Sequence, residues 1–449
     1  MNQLALFFLT PVIFLAVGLT LPNGFARSSV GPLSLAGFLY WLLSNGHDLP
    51  PALKLLYVSL WMLFFIKGWA VLKVPKEELQ AYSPLGLLLY SYPWPGVDPR
   101  PFKERGALDQ TGARWYAFGF PTMCAGIALG IVLAANFDNL SARFLGLCGV
   151  LAVLTTVHLG YSDVLSGALR LLGFPVGRLF HFPLLSTSVR DFWSFRWNRP
   201  FVEMNRLLFQ PIFTRVLSRG GTVLALFLVS GLLHELALSF PAGAGWGGPL
   251  LYFLVQGSGF LLEKKYQIQS RFWVWVMVFL PMPLLFHGPF LETLVLPFYN
   301  FLHSYPALSS PLHLLTASLT AVAWGHFLVL VASFQVPHRL NWGEELKRLR
   351  PLNRKLLWTY GGYIATMIFL WGFLTLNLLP EFLAGEKSAL ALVGVIALFW
   401  WSRIVIDAFY FEHSDWPQGV EFVLGHTMLT SLFLTIAGTY TWLLCWHLI

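Results

Sequence analysis

Two adjacent titratable residues, His234 and Glu235, stand inside an apolar run from Thr222 to Leu238. Ionisable groups are costly in lipid, so the pair must face a cavity or a partner helix. Ser230 lies one turn before His234 on the same face, and Gly231 leaves room for a close neighbour. A histidine so placed relays a proton, ligates haem, or ties two helices together through a hydrogen bond. Residue type alone leaves those uses open. Thirty-six residues upstream of His234 stands Asn198, the last residue of Asp191-Phe-Trp-Ser-Phe-Arg-Trp-Asn198. Asp191 and Asn198 are seven apart, a spacing that puts both on one face of a helix. Trp193 and Trp197 suit an interface anchor as well as a site wall. Other polar residues in apolar surroundings are His313, His326, His338 and His426 near the C-terminus, with Arg403 and Asp407 one turn apart. No spacing among them demands haem or a metal. Cys124, Cys148 and Cys445 lie far apart in apolar stretches, which argues against a disulfide framework or a cysteine metal site.

The elements that carry these residues follow from composition. Of 449 residues, 56% are apolar, 16% aromatic and only 11% charged. A soluble domain has about 25% charged residues, and a disordered chain is rich in charge and poor in apolar groups. Both classes are excluded. A membrane span needs about 20 mostly apolar residues, and such runs occur near 4–21, 53–72, 115–135, 143–161, 222–240, 247–262, 272–289, 312–336, 356–379, 388–409 and 422–448. Segment 33–43 is too short for a span and reads as re-entrant or interfacial. The first run lacks a basic leader, so it is expected to be a retained helix rather than a cleaved signal, although Gly24-Phe25-Ala26 is a tolerable cleavage context. The expected fold is all-α: a polytopic integral membrane protein of about 11 transmembrane helices, with a long cytoplasmic segment of short re-entrant or interfacial helices.

Charge sets the expected sidedness. Segments 73–114, 162–221, 263–271 and 337–355 hold 23 of the 29 Lys and Arg residues, and the proposed spans place all four on one side. The opposite loops hold little beyond Arg27, Lys54, Arg143 and Lys387. The basic side is therefore expected to be cytoplasmic. The net charge of +8 reads as topology and contact with anionic lipid, not nucleic-acid binding. Within 162–221, Ser188-Val-Arg-Asp191 has capping-box spacing and predicts a helix start, and Pro200 predicts its end near Asn198. A second helical pattern follows, with Phe201, Met204, Leu208, Ile212 and Val216 on one face and Glu203, Arg206, Gln210 and Thr214 on another. Gly220-Gly221 ends it. A Pro/Ser-rich break over 303–311 suggests a module boundary, giving 1–305 and a four-helix module 306–449. No internal repeat is evident, which weighs against repeat-built transporters.

Asp-Phe-Trp-x-x-x-Trp-Asn followed by Ser-Gly-x-x-His-Glu at the far end of the next span resembles the membrane-bound O-acyltransferase superfamily, most nearly its wax synthase branch. The motif-bearing resemblance covers roughly 185–265, the general layout extends it over about 1–300, which makes 1–305 the implied acyltransferase domain, and it does not account for 306–449. It implies a catalytic His234 with Asn198 as its polar companion. Esterification would then use a neutral His234 to take the hydroxyl proton, worth about 10²–10⁴-fold. The Asn198 amide would hold the thioester carbonyl, the oxyanion or the histidine tautomer. No nucleophilic cysteine lies in the motifs, so direct transfer is favoured over an acyl-enzyme. The implied substrate-binding set is Asp191, Trp193, Arg196, Trp197, Arg199, Ser230 and Glu235. Arg190, Arg196, Arg199 and Arg206 suit coenzyme A phosphates or serve as ordinary topology charges, and Glu235 is expected to bond another helix. The implied reaction moves a fatty acyl group from acyl-CoA, a co-substrate rather than a cofactor, to a lipophilic alcohol, with no metal. The alternatives are short-chain acyl or acetyl transfer to a glycan or small hydroxylated acceptor, and a non-enzymatic transporter or haem-binding protein. The expected location is the inner membrane of a bacterium or the endoplasmic reticulum of a eukaryote.

Overall fold

The computed structural model describes residues 3–106, 110–411 and 420–448, and these are helical with no strand. Apolar runs too long for a soluble core form the main helices: α1 (Gln3–Thr20), α2 (Phe25–Asn45), α3 (Pro51–Lys73), α4 (Gln110–Ala135), α5 (Ala142–Leu171), α6 (Arg219–Ala242), α7 (Gly248–Tyr266), α8 (Arg271–Leu285), α9 (Gly288–His303), α10 (Pro311–Arg339), α11 (Pro351–Asn377), α12 (Lys387–Phe409) and α13 (Val420–Leu448). Among the described residues, eight helices are long and apolar enough to cross a membrane, or nine if α8 and α9, bent by 65° at their break, count as one span. That is fewer than the 11 expected, for identifiable reasons. The apolar part of α1 is short (Ala5–Thr20). Helix α7 carries Gln256, Glu263, Lys264 and Lys265. The run 272–289 breaks beside His287, whose backbone is extended.

The short segment 33–43 lies within α2, a helix of 21 residues. This changes the placement of Arg27. Its guanidinium is buried and donates to the carbonyls of Leu72, Leu21 and Val74, at 3.2, 3.0 and 2.7 Å, and to Gly18. Arg27 therefore sits at the Lys73 end of α3, not with the opposite loops. Lys76 confirms the arrangement by donating to the Thr20 carbonyl at 3.0 Å.

The described chain packs as two units. One comprises Met1–Gly130 and Asp138–Asn300, the other Ile131–Phe137 and Phe301–Ile449. In the second unit, α10–α13 bury Leu315, Leu319, Val393, Ile396, Trp400 and Tyr440. His326 lies in that core with both ring nitrogens engaged: Nδ1 with the Val322 carbonyl at 2.7 Å, and Nε2 accepting from Trp400 Nε1 at 3.0 Å. It is a packing histidine. His426 and Arg403 flank the buried Asp407 carboxylate at 3.0 and 3.3 Å.

In the first unit, α6 and α7 run antiparallel in close contact. A side chain at Gly231 would meet Leu250 Cα at 3.0 Å, and one at Gly257 would meet Phe227 at 3.1 Å. Helices α4 and α5 approach in the same way. Gly112, Gly119 and Gly126 recur every seven residues on α4, against Gly167, Asp163 and Thr156 on α5. Small residues at such a seam let helix backbones pack where lipid offers no hydrophobic drive.

Candidate active site

The segment that carries Asn198 is fixed before its side chain acts. Ser188 Oγ accepts from Asp191 N at 2.9 Å, the expected cap. Glu263 of α7 accepts from Val189 N and, at 3.2 Å, from Arg190 N, satisfying two more donors of that first turn. After Asp191 the chain widens into a π-helical turn over Phe192–Arg196 and then leaves the helix, with Trp197 extended and Asn198 left-handed at φ 48°. Asp191 and Asn198 thus do not share a helical face. The physical reason is the wide turn together with the left-handed residue, a conformation asparagine tolerates better than most side chains. Two backbone bonds hold this corner: His181 N to Arg196 O at 2.8 Å and Arg199 N to Leu179 O at 3.0 Å. The next helix starts at Arg199, with Pro200 in its first turn, where a missing N–H costs nothing. It runs on through a second wide turn, Asn205–Phe209, to Phe213.

On α6, each residue of Ser-Gly-x-x-His-Glu has an observable job. The Ser230 carbonyl receives His234 Nδ1 at 2.7 Å. Gly231 admits Leu250. Glu235 Oε1 accepts from Gly247 N at 2.9 Å and Leu250 N at 3.0 Å, capping the start of α7. A third wide turn, Glu235–Ser239, begins immediately after His234. Wide turns of this kind recur at functional sites because they re-aim side chains without ending a helix.

His234 and Asn198 meet on one cavity of about 250 Å³, which Trp193, Trp197, Ser230 and Arg206 also line. The His234 ring packs against Phe253 and Phe201, with centroids 4.4 and 5.7 Å away. A backbone carbonyl can only accept, so Nδ1 carries the proton, and in the neutral ring Nε2 keeps its lone pair. Neither Nε2 nor the Asn198 amide has a protein partner among the described residues. Asn198 and Phe201 also border a second, larger cavity of about 890 Å³.

The other expected binding residues scatter. Trp193 donates to Gln256 Oε1 at 3.0 Å, which fixes its ring on the cavity wall. Asp191 and Arg196 pair with each other at 2.7 Å and line neither cavity. Arg199 is exposed and, like Arg190 and Glu235, absent from both walls. Arg206 is the member of that basic group on the cavity, with its guanidinium 3.5 Å from Asp98. Burial pushes the nearby Glu203 carboxyl above its usual range, although Val97 N and Asp98 N donate to it. Burial also lowers the His181 imidazole, helped by Arg178 and Arg196. Motif reading missed His158 on α5, which lines the larger cavity. Its signal, an ionisable residue in an apolar run, was the one that marked His234. The aromatic walls Phe201 and Phe253 carried no such signal.

Residues 176–255, which contain both Asn198 and His234, match the membrane bound O-acyl transferase family. Curated proteins similar to the chain include a probable long-chain-alcohol O-fatty-acyltransferase 1 of Arabidopsis thaliana, 43% identical over 74 residues (15% of this chain, 22% of that protein). The long-chain-alcohol O-fatty-acyltransferase of Simmondsia chinensis is 39% identical over 90 residues (18% and 25%). A probable long-chain-alcohol O-fatty-acyltransferase 2 of Arabidopsis thaliana is 36% identical over 115 residues (22% and 32%). The chain therefore covers about a third or less of the length of these relatives. Over that stretch, the resemblance read from the two motifs is borne out.

Proposed function

We propose, from that family match and the site geometry, that the protein transfers a fatty acyl group from acyl-CoA to the hydroxyl of a lipophilic alcohol, forming a wax ester or related neutral lipid. The observation that carries this reading is the meeting of His234 and Asn198 on one cavity inside the helical domain. With Nδ1–H committed to the Ser230 carbonyl, Nε2 accepts the alcohol proton as the oxygen attacks the thioester carbon. The Asn198 amide donates to the oxyanion that forms. The C–S bond then breaks, the ester forms, and the departing thiolate recovers the proton from His234. Arg206, on the same cavity, offers a cation to the phosphates of coenzyme A. The basic face is cytoplasmic, where acyl-CoA is supplied.

Acetyl transfer to a small polar acceptor fits less well beside a larger cavity lined by no Lys, Arg, Asp or Glu. The haem alternative loses its best-buried candidate in α10, because both nitrogens of His326 are already bonded. The test is expression in cells that lack neutral-lipid synthesis, with esters profiled by mass spectrometry. Wild type is expected to produce long-chain esters, and His234→Ala to lose about 10²–10⁴-fold of the rate at normal membrane abundance. Near-normal activity in that variant removes His234 as the base.

A further inference from the structure

The larger cavity has a polar group that the mechanism above leaves unused. His158 sits in a π-helical turn of α5, Leu154–Tyr161. Its ring is parallel to Trp197 within 2°, at 6.1 Å between centroids, and stands edge-on to Phe180 at 5.2 Å. Two aromatic neighbours therefore fix its orientation. Its Nδ1 is fully buried and has no hydrogen-bond partner. With Nδ1 enclosed by protein, Nε2 is the ring nitrogen left to the cavity, and it has no hydrogen-bond partner among the described residues. Two other polar groups on this cavity are already engaged: the Tyr92 hydroxyl donates to Phe8 O at 2.7 Å, and the Ser162 hydroxyl donates to the His158 carbonyl at 2.5 Å.

The cavity's chemistry suits one of the two substrates. It is lined by no charged residue, and Asn198 stands on its wall together with His158. Wall residues Phe8, Leu56, Leu60 and Tyr161 are 40–53% exposed on the apolar exterior, so the cavity opens where lipid lies. Arg206, by contrast, belongs to the smaller cavity. Trp197, on which the His158 ring stacks, also lines the cavity that holds His234.

We propose that the larger cavity receives the acceptor alcohol and that the His158 imidazole holds its hydroxyl beside Asn198, presenting the oxygen to His234. This inference rests on the acyltransferase reading. It makes His158 an acceptor-binding residue that favours a long apolar molecule ending in a hydroxyl over one without it. The aromatic surroundings accept a ring of similar size, so His158→Phe removes the polar group while keeping the stack, and His158→Gln restores a donor and an acceptor.

Full-length wild type and both variants are assayed in membranes with a long-chain primary alcohol and a fatty acyl-CoA. In His158→Phe, KM for the alcohol should rise roughly tenfold, the scale of one lost hydrogen bond, while KM for acyl-CoA stays put. His158→Gln should recover most of the loss. An unchanged alcohol KM in His158→Phe overturns the assignment, and so does a rise confined to acyl-CoA. If His158→Phe does not accumulate, wild type decides by competition. A 1-chloroalkane of equal length should compete at least tenfold more weakly than a second alcohol, and equal competition overturns the proposal. Wild-type membranes that form no ester from any long-chain alcohol sink the acyltransferase reading itself, an outcome distinct from an active wild type with an indifferent His158→Phe.

Discussion

At Asn198 two demands fall on one residue, and they can be separated. Its backbone is left-handed at φ 48°, a conformation that costs an ordinary L-residue about 1–2 kcal/mol. Its amide faces the cavity shared with His234. Glycine meets the first demand and not the second, whereas alanine meets neither. Asn198→Gly is therefore expected to insert and melt like wild type yet lose about 10²–10³-fold of the ester-forming rate, the scale of one oxyanion donor. Asn198→Ala should lose the same activity and in addition melt earlier. If Asn198→Gly stays active, the amide has no part in the chemistry and the position matters for its turn alone. A role for this residue entered only through the resemblance of the two motifs to the O-acyltransferase superfamily, whereas His234 was marked by its own cost as an ionisable group in an apolar span. The turn was not legible in the sequence. A seven-residue spacing suggested one helical face for Asp191 and Asn198, and nothing in the local sequence announced that Phe192–Arg196 would widen and release the chain. That outcome depends on Glu263, Leu179 and His181, which reach the corner from distant parts of the chain.

The elements around the site are tied by a few buried polar contacts, and one of them gives a pH signature. Glu203, on the helix that follows Asn198, accepts from Val97 N at 2.9 Å and Asp98 N at 3.2 Å, joining the 93–98 loop to that helix. Burial raises its carboxyl pKa, and the two N–H donors offset this only in part. A pKa raised in the folded state means that the folded protein holds the proton more tightly. That stability is present below the unfolded value and is lost as pH rises through the folded value. Glu203→Gln keeps an acceptor oxygen for both N–H groups and cannot ionise. Thermal unfolding in detergent should therefore show the variant melting above wild type at pH 8, with the gap closing near pH 4, about the unfolded pKa of Glu. A variant that melts below wild type at pH 8 contradicts this account. The same scale shows why helix positions were easier to read than helix continuity. Mean apolarity located all eight helices long and apolar enough to span, and the 3.6-residue pattern over 201–216 located the helix that follows Asn198. The break at His287 and the inclusion of 33–43 in α2 involve partners elsewhere: the His287 ring meets the Ser239 hydroxyl at 3.2 Å, and four carbonyls around the ends of α1 and α3 accept from the Arg27 guanidinium.

For the whole molecule, charge and connectivity make a joint prediction about sides. With Arg27 moved to the Lys73 end, the basic face gains one more cation, and each Lys or Arg near an anionic leaflet contributes about 1 kcal/mol. From the basic segment 162–221, α6 crosses outward and α7 returns beside it, as the antiparallel contacts Gly231–Leu250 and Gly257–Phe227 require. Counted as one broken span, the bent pair α8–α9 is expected to cross outward again and α10 to return. On that count, the segment at 305 is expected on the opposite side of the membrane from the basic segments at 216 and 348. The step that decides this is α7, whose charged end keeps it from qualifying as a span on apolarity alone. Single cysteines at Val216, Tyr305 and Arg348, all exposed, placed in a chain lacking Cys124, Cys148 and Cys445, read the question directly. A membrane-impermeant maleimide applied to intact cells should label Tyr305→Cys and spare Val216→Cys and Arg348→Cys until the membrane is opened. If α7 does not cross, Tyr305→Cys is protected together with Val216→Cys, and Arg348→Cys is labelled instead. If the positive face is external, every result inverts, and acyl-CoA could no longer reach the Arg206 cavity from the compartment that makes it.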